Sequence, residues 1–403
     1  MKISKRTHLF IALTTLTMFS ACGGSEEHTA ANITPALDNT SKLIDGNFRD
    51  REVIGLEYSS GSLKNKLTNQ NGSYTCERGK DITFSVGNIL LGSAPCGELL
   101  TPIELVENAD IDNKNVINMV KFLSLVDDDN NPENGIKITT QTQTLAKAWS
   151  LNFSSDNFDT SDEILIIKTD VNENSDINHT LLTDFEATKH LKSTLLCSYA
   201  GAYKGNFNGA DNGGFGVLIS PTTGKMEIVG YSEKRDKYFT GSGEESFNLN
   251  SSRSFQGLTN EGTLFKGTIK TVNSLSGNWS NAGDKGTFVG NRIGGGTNAK
   301  YRFVGNYNGH TSGLFSFDID ENNQIRGVAY NTFEDELVSI IGSVNGTTVT
   351  AKTTDNLTNI TATFNKDTGT ISNGKWKNTQ VNQDNGQLYK GFFTGAGCQL
   401  NSN

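Results

Sequence analysis

The feature that most constrains this chain is a pattern that returns after one hundred positions. Gly205, Asn206, Phe207, Asn208 and Gly209 come back as Gly305, Asn306, Tyr307, Asn308 and Gly309, and Gly213 with Phe215 comes back as Gly313 with Phe315. Further on, Gly277 and Trp279 match Gly374 and Trp376, while Lys285, Gly286, Phe288 and Gly290 match Lys390, Gly391, Phe393 and Gly395. A repeat of this length describes two copies of one folding unit. Each copy divides into about eight short stretches of alternating apolar and polar residues separated by turn residues, enough strands to close an up-and-down barrel or to build one flattened sandwich. The expectation is two eight-stranded meander β-barrels, over residues 197–300 and 301–403. Glycines inside the strands, such as Gly205, Gly267, Gly286, Gly305 and Gly391, weaken a sheet unless a tight bend or a close backbone approach needs them. Small, strongly curved barrels have that need.

The first residues carry an address. Lys2, Lys5 and Arg6 precede an apolar stretch from Leu9 to Phe19, and Ser20 and Ala21 lead into Cys22. A basic start, an apolar run too short to span a bilayer and two small residues before a cysteine form a bacterial lipoprotein signal. Residues 1–21 are then the signal peptide, and Cys22 is the lipidated first residue of the mature chain. Residues 22–45 are polar and aperiodic, as a flexible tether is. Gly23 after the lipidated cysteine favours the outer membrane, because retention at the inner membrane often uses Asp there.

Composition supports a mainly β ectodomain. The chain holds 43 Gly and only 5 Pro, with abundant Thr, Asn and Ser, which suits short strands and tight turns. Its formal charge of -9 becomes three units more negative once Lys2, Lys5 and Arg6 leave with the signal, and an acidic surface repels phosphate, so nucleic acid is not an expected partner. After lipidation four cysteines remain, Cys76, Cys96, Cys197 and Cys398. An even number in an exported chain favours disulfides, and the absence of a C-x-x-C pair disfavours zinc. Of the three possible pairings the sequence favours Cys76 with Cys96, inside one small domain, and Cys197 with Cys398, which bracket the C-terminal half.

Between tether and repeats, residues 46–196 read as a small β-sandwich with helices. Alternating segments run over Val53 to Tyr58, Gly72 to Cys76, Asp81 to Val86 and Ile89 to Gly92, and Asn71-Gly72 is a hairpin signal. Apolar residues at helical spacing predict helices over residues 115–126 and about 181–196, the second with Leu182, Phe185, Leu191 and Leu195 on or near one face; both are expected to pack on the sandwich. The succession Gly55, Leu56, Tyr58, Leu67, Thr68, Asn71, Gly72, Tyr74, Gly79, Ile82, Thr83, Phe84, Val86, Gly87, Leu91, Gly92 resembles the prealbumin-like module at the N-terminus of many gammaproteobacterial surface lipoproteins and adhesin-like proteins. Thr101, Pro102, the first helix, the Asp-rich turn from Asp127 to Gly135, Ala187, His190 and Leu191 continue that order. The resemblance spans roughly residues 50–195 and implies export and a carrier or display role rather than catalysis.

Candidate chemistry is sparse. Asp127, Asp129, Asn131 and Asn134 present oxygens at alternate positions, as calcium loops do, but Pro132 stands where such a loop needs Gly and Ile138 where it needs Glu. A solvated turn that ends a helix is the plainer reading, and calcium is the one cofactor the sequence raises. His179, His190 and His310 are the histidines beyond the tether; no H-E-x-x-H or G-x-S-x-G accompanies them, and His190 reads as a packing residue. The aromatics matched between repeats, Phe207 and Tyr307, Phe215 and Phe315, Trp279 and Trp376, Phe288 and Phe393, read first as core and second as walls of a ligand pocket, because eight strands enclose little more than their own side chains.

These readings converge on a lipid-anchored, non-catalytic outer-membrane lipoprotein whose twin barrels bind a host-surface, extracellular or envelope protein or glycan. Two further expectations stand beside it: an assembly factor facing the periplasm, and a carrier with a small apolar ligand in one barrel.

Overall fold

The computed structural model describes residues 42–243, 252–295, 299–331, 336–366, 368–381 and 386–400. The signal peptide, Cys22 and nearly all of the tether lie outside the described residues. Strand structure already starts at Leu43, inside the segment read as tether.

The N-terminal part is built from β1 (Leu43–Phe48), β2 (Val53–Ile54), β3 (Glu57–Ser60), β4 (Leu63–Leu67), β5 (Ser73–Glu77), β6 (Asp81–Val86), β7 (Ile89–Pro95) and β8 (Leu99–Leu100). Helix α1 (Lys114–Leu125), β9 (Ile136–Lys137), α2 (Thr140–Leu145), α3 (Asp162–Glu173) and α4 (Asp184–Tyr199) follow. A three-stranded sheet, β5-β1-β8, and a four-stranded sheet, β4-β3-β6-β7, lie face to face. Period-2 patterning explains the arrangement: in β6, Ile82, Phe84 and Val86 are buried while Asp81, Thr83 and Ser85 point outward. Phe84 meets Phe48 of the other sheet at 4.6 Å between ring centroids and Tyr74 at 5.4 Å, so aromatic rings bridge the two layers. Cys76 and Cys96 are bonded at one edge.

The Asn71-Gly72 signal marks a turn, with Gly72 at φ 65°, but not a hairpin. Strand β4 pairs with β3 and β5 with β1, so the turn carries the chain from one sheet to the other. The Phe48 amide donates to the Gly72 carbonyl at 2.8 Å, which pulls the turn onto β1, and a Cβ at Gly72 would meet that strand's backbone.

Helix α1 starts at Asn113, whose side chain accepts from the Asn115 and Val116 amides. It has two apolar faces: Met119, Phe122 and Leu123 belong to the sandwich core, Val116 and Val120 to the core of the first barrel. Helix α4 opens on a capping box between Thr183 and Glu186. Contrary to the sequence expectation it does not pack on the sandwich. Its buried Ala187, Leu191, Leu195 and Tyr199 join the core of the first barrel. Phe185, expected on the packed face, is 77% exposed, because the barrel selects the stripe at 187, 191 and 195 and leaves the first turn outside. Helix α3 had not been expected; Ile164, Ile167 and Val171 seat it on the sandwich core.

Two closed antiparallel barrels follow. The first has β10 (Gly201–Gly209), β11 (Gly213–Ile219), β12 (Met226–Ser232), β13 (Lys237–Ser242), β14 (Ser254–Thr259), β15 (Leu264–Thr271), β16 (Ser274–Asn281) and β17 (Asp284–Ile293). The second has β18 (Ala299–Gly309), β19 (Gly313–Asp320), β20 (Gln324–Asn331), β21 (Glu336–Asn345), β22 (Thr348–Thr353), β23 (Thr358–Asn365), β24 (Thr370–Val381) and β25 (Leu388–Gln399). Each strand pairs with its sequence neighbours, and β10–β17 and β18–β25 close the rings.

The repeated residues explain the closure. Trp279 of β16 reaches across Gly286 of β17 and donates its indole N–H to the Asn208 carbonyl of β10 at 3.1 Å; Trp376 reaches across Gly391 to the Asn308 carbonyl at 3.0 Å. A Cβ on either glycine would run into both the indole and that carbonyl. The Trp, Gly and Asn shared by both repeats are therefore a clasp over the seam where last strand meets first.

The barrels touch side by side through Ala200, Ala202, Leu218, Val304, Leu314 and Tyr330, with the Asn306 amide donating to Glu227 at 2.7 Å and Lys204 lying 5.0 Å from the Tyr330 ring centre. Cys197, which lies in α4 rather than in a barrel strand, is bonded to Cys398 of β25. The disulfide thus ties the helix under the first barrel to the last strand of the second.

Candidate ligand cavity

Strand pairing sets the two barrels in register and exposes a systematic difference. Phe215 pairs with Gly230 as Phe315 pairs with Ala329, and Gly230 then faces Phe239 where Ala329 faces Val338. From the other side, Trp279 pairs with Phe265 where Trp376 pairs with Ile360. Phe265 faces Gly257 where Ile360 faces Ala351, and Phe255 faces Gly267 where Val349 faces Ala362. Three times, a phenylalanine lying over a glycine is replaced by a branched aliphatic beside an alanine. At two of the three the exchange is steric against the paired ring, since a Cβ on Gly230 would collide with the Phe239 ring and one on Gly267 would meet the Phe255 and Phe288 rings at 2.8 Å; a Cβ on Gly257 would meet Ile228 instead.

The consequence lies on the barrel axis. In the first barrel Phe239 meets Phe207 at 5.8 Å and Phe265 at 6.2 Å, and Phe288 meets Phe265, Phe215 and Phe255 at 5.4, 5.7 and 6.0 Å. These rings pack across the interior, and among the described residues a pocket of about 30 Å³ lies at the end that holds Asp211, Arg235 and Glu261. In the second barrel Val338, Val349, Ala351 and Ile360 stop at the wall, and a cavity of about 830 Å³ opens, within the range that holds small ligands.

The cavity has a closed floor and an open mouth. At the floor, Phe303 packs against Phe317 and Phe364 at 5.3 and 5.6 Å, and Tyr301 covers Phe364 at 5.0 Å. The wall is apolar, with Phe315, Phe317, Ile325, Val338, Ile340, Val349, Trp376 and Phe393. The mouth lies at the ends of β18, β20, β22 and β24 and the starts of β19, β21, β23 and β25, and it is polar: His310, Asn331, Glu336, Thr353, Asp355, Asn378, Gln380 and Tyr389. The six steps along β20 from Ile325 to Asn331, at about 3.3 Å each and tilted by about 40°, give a depth of roughly 15 Å.

The rim is pre-arranged. Asp355 accepts from the Thr353 hydroxyl at 2.5 Å and the Leu357 amide at 2.8 Å, and these bonds hold its carboxyl below the usual aspartate range, so it is anionic at neutral pH. The Asn378 amide donates to the Thr358 hydroxyl at 3.0 Å. His310 places Nδ1 3.1 Å from the Lys390 carbonyl and meets the Tyr389 ring edge-on at 5.4 Å. No Lys or Arg lines the cavity among the described residues.

No protein-family profile matches this sequence, and no curated protein does. Two solved structures align weakly. The vaccine antigen transferrin binding protein B of Haemophilus parasuis matches at 10% identity over 46% of this chain and 53% of its own, with a TM-score of 0.18. A protein of unknown function from Nostoc punctiforme matches at 8% identity over 50% of this chain and 97% of its own, with a TM-score of 0.13. This chain spans about half the length of the first, and likenesses this distant carry no argument about its activity.

Other residues singled out from sequence fall elsewhere. Asp127 is buried and turned onto its own loop, accepting from the Lys137 and Asn131 amides at 2.7 and 2.9 Å; burial raises its pKa to about 7. Asp129 accepts from the Asn131 amide and the Asn134 side chain at 3.0 and 2.6 Å. The four candidate calcium ligands thus staple the turn after α1 together, and among the described residues no three His, Cys, Asp or Glu side chains converge as a metal cage.

His190 is more than packing. Its Nε2 stands 3.1 Å from buried Asp50 and its Nδ1 3.1 Å from Glu133, while Arg51 donates to Glu133 at 2.8 Å and to the Gln399 carbonyl at 2.7 Å. Burial alone would pull the imidazole pKa down; the two carboxylates outweigh it and raise it to about 10. Glu133 is held at about 2, first by its bond to His190 and then by Arg51. This ion cluster joins the N-terminal part, α4 and the end of the second barrel.

The sequence reading put core packing first for the matched aromatics and a ligand pocket second; in the second barrel Tyr307, Phe315, Trp376 and Phe393 line the cavity, and what the sequence left open was which barrel is hollow. The signal for that was present, since Val and Ile replace Phe where Ala replaces Gly, but only the strand register shows which positions correspond.

Proposed function

We propose that this protein is an exported, non-catalytic binding lipoprotein, anchored through Cys22 in the outer membrane, whose second barrel holds a small ligand with an apolar body. The observation that carries the reading is the 830 Å³ cavity with apolar walls and polar mouth, beside a first barrel of the same topology whose interior is filled. Two disulfides fit an oxidising compartment, and the signal before Cys22 supplies export and the anchor. The N-terminal part with its helices acts as the base from which the second barrel is displayed. The protein purified from its own cells carries a small molecule detectable by native mass spectrometry and released by organic solvent. Val349→Phe with Ala362→Gly, which installs one of the three Phe-Gly pairs of the first barrel in the cavity wall, lowers that signal while the protein stays folded. An unchanged bound mass in this variant would sink the reading. Protease access to the barrels on intact cells separates surface display from a periplasmic location.

A further inference from the structure

We infer that the ligand of the second barrel is an organic cation, with an apolar body in the slot and an ammonium-like head at the mouth near Glu336 and Asp355; this rests on the reading of the cavity as a binding site. A head group at the mouth would meet the side chains that face inward there. Inward positions alternate along every wall strand, so Ala351 and Thr353 face in while Lys352 faces out, and Trp376 and Asn378 face in while Lys375 and Lys377 face out. On β25 the same alternation turns Tyr389 and Phe393 inward and Lys390 outward.

The period of the strands therefore removes every lysine of this end from the described lining and leaves two carboxylates on it. Among the described lining residues a carboxylate or phosphate head would meet no Lys or Arg and would be repelled by both acids. An ammonium head would be attracted by both. The rings of Tyr307, Trp376 and Tyr389 near the mouth add faces on which a cation rests. The first barrel has balanced charge at its matching end, where Arg235 and Lys237 stand beside Asp211 and Glu261 around a pocket of about 30 Å³. Width and charge therefore change together between the two barrels.

The test uses the mature chain and three probes that share one twelve-carbon tail below their micelle concentrations: dodecyltrimethylammonium, dodecanol and dodecanoate, titrated by calorimetry. The expected order is cation, then alcohol, then carboxylate, with about tenfold between the first and the last, since partly screened charges give on the order of one pK unit. Added salt narrows the gap. Glu336→Gln with Asp355→Asn removes the preference, so that the ammonium probe no longer binds more tightly than dodecanoate. Dodecanoate binding as tightly as the ammonium probe, or a preference that survives the double variant, overturns the inference while leaving the cavity as a binding site. If none of the three binds, and Val349→Phe with Ala362→Gly behaves as the parent does, both the head-group inference and the binding reading fall.

Discussion

The two barrels have the same strand order and the same Trp-Gly-Asn clasp, yet one is solid and the other hollow. The difference shows that closure and interior are set by separate residues. Closure depends on the repeated Trp279 with Gly286 and Trp376 with Gly391, which both copies keep. Filling depends on whether the glycines of β12, β14 and β15 face phenylalanines, and the second copy has changed both members of each pair. Changing one alone would either collide or leave a void, and overpacking and cavities both destabilise a core. The first barrel is also sealed from below by α1 and α4, whose Val116, Val120, Leu191 and Leu195 share its core, whereas the second closes its own floor with Phe303 and Phe364. One barrel is packed solid against helices and the other encloses a cavity.

The largest test of this contrast concerns the tie between them. Replacing Cys197 and Cys398 by Ser frees a loop with a sequence separation of 201 residues, and the chain-entropy view puts the loss at about 5 kcal/mol. It is measured by urea unfolding followed with probes in each barrel. The second barrel, whose last strand is released, should respond more than the first; an equal response in both would mean that they unfold as one body.

Next in size is truncation of matched wall positions. Phe265→Ala empties a packed interior and should cost about 3–5 kcal/mol. Ile360→Ala, at the same place on a wall that already faces the cavity, should cost well under half of that. Equal costs would break the comparison.

A third test concerns the ion cluster at the joint. His190 has a folded pKa of about 10, above the value of about 6.5 for an unfolded chain. Its contribution is therefore complete below about pH 6.5 and is lost as pH rises towards 10. Glu133, held at about 2, contributes above about pH 4.5 and loses its share as pH falls towards 2. His190→Gln should remove the alkaline decline, which is on the order of a few kcal/mol, and leave stability between pH 8 and 10 nearly flat. A decline of the same slope in the variant would assign it to other groups.

The smallest effect tests what the barrels share. Trp279→Phe and Trp376→Phe each delete one indole hydrogen bond to a seam carbonyl and should each cost about 1–3 kcal/mol, including the orphaned acceptor. Similar costs support a common clasp; a cost at only one position would mean that the other seam is held differently.

Much of the architecture was legible from residues alone. Repeat and alternation announced two eight-stranded barrels, because strand period and turn residues are local properties that survive in any context. The helices near residues 115–126 and 181–196 were legible for the same reason. What helix spacing left open was the destination of each stripe: it suggested that α4 packs on the sandwich with Phe185 inside, and the barrel took Ala187, Leu191 and Leu195 instead. The Asn71-Gly72 turn was readable as a turn, while its crossing between sheets was not, since partners such as Phe48 lie far off in the chain.

The sequence by itself determined the strand count, the glycine and tryptophan positions that let a ring close, the four cysteines available to bond and the acidic balance of the chain. Only the tertiary structure decided which ring is full. That outcome depends on pairs of residues on neighbouring strands, Phe over Gly in one copy and Val or Ile beside Ala in the other, and a pair acquires meaning only when register brings its two members face to face. It also decided the sign of the mouth, because the same period that buries Trp376 and Ala351 turns Lys375 and Lys352 outward and leaves Glu336 and Asp355 on the cavity rim.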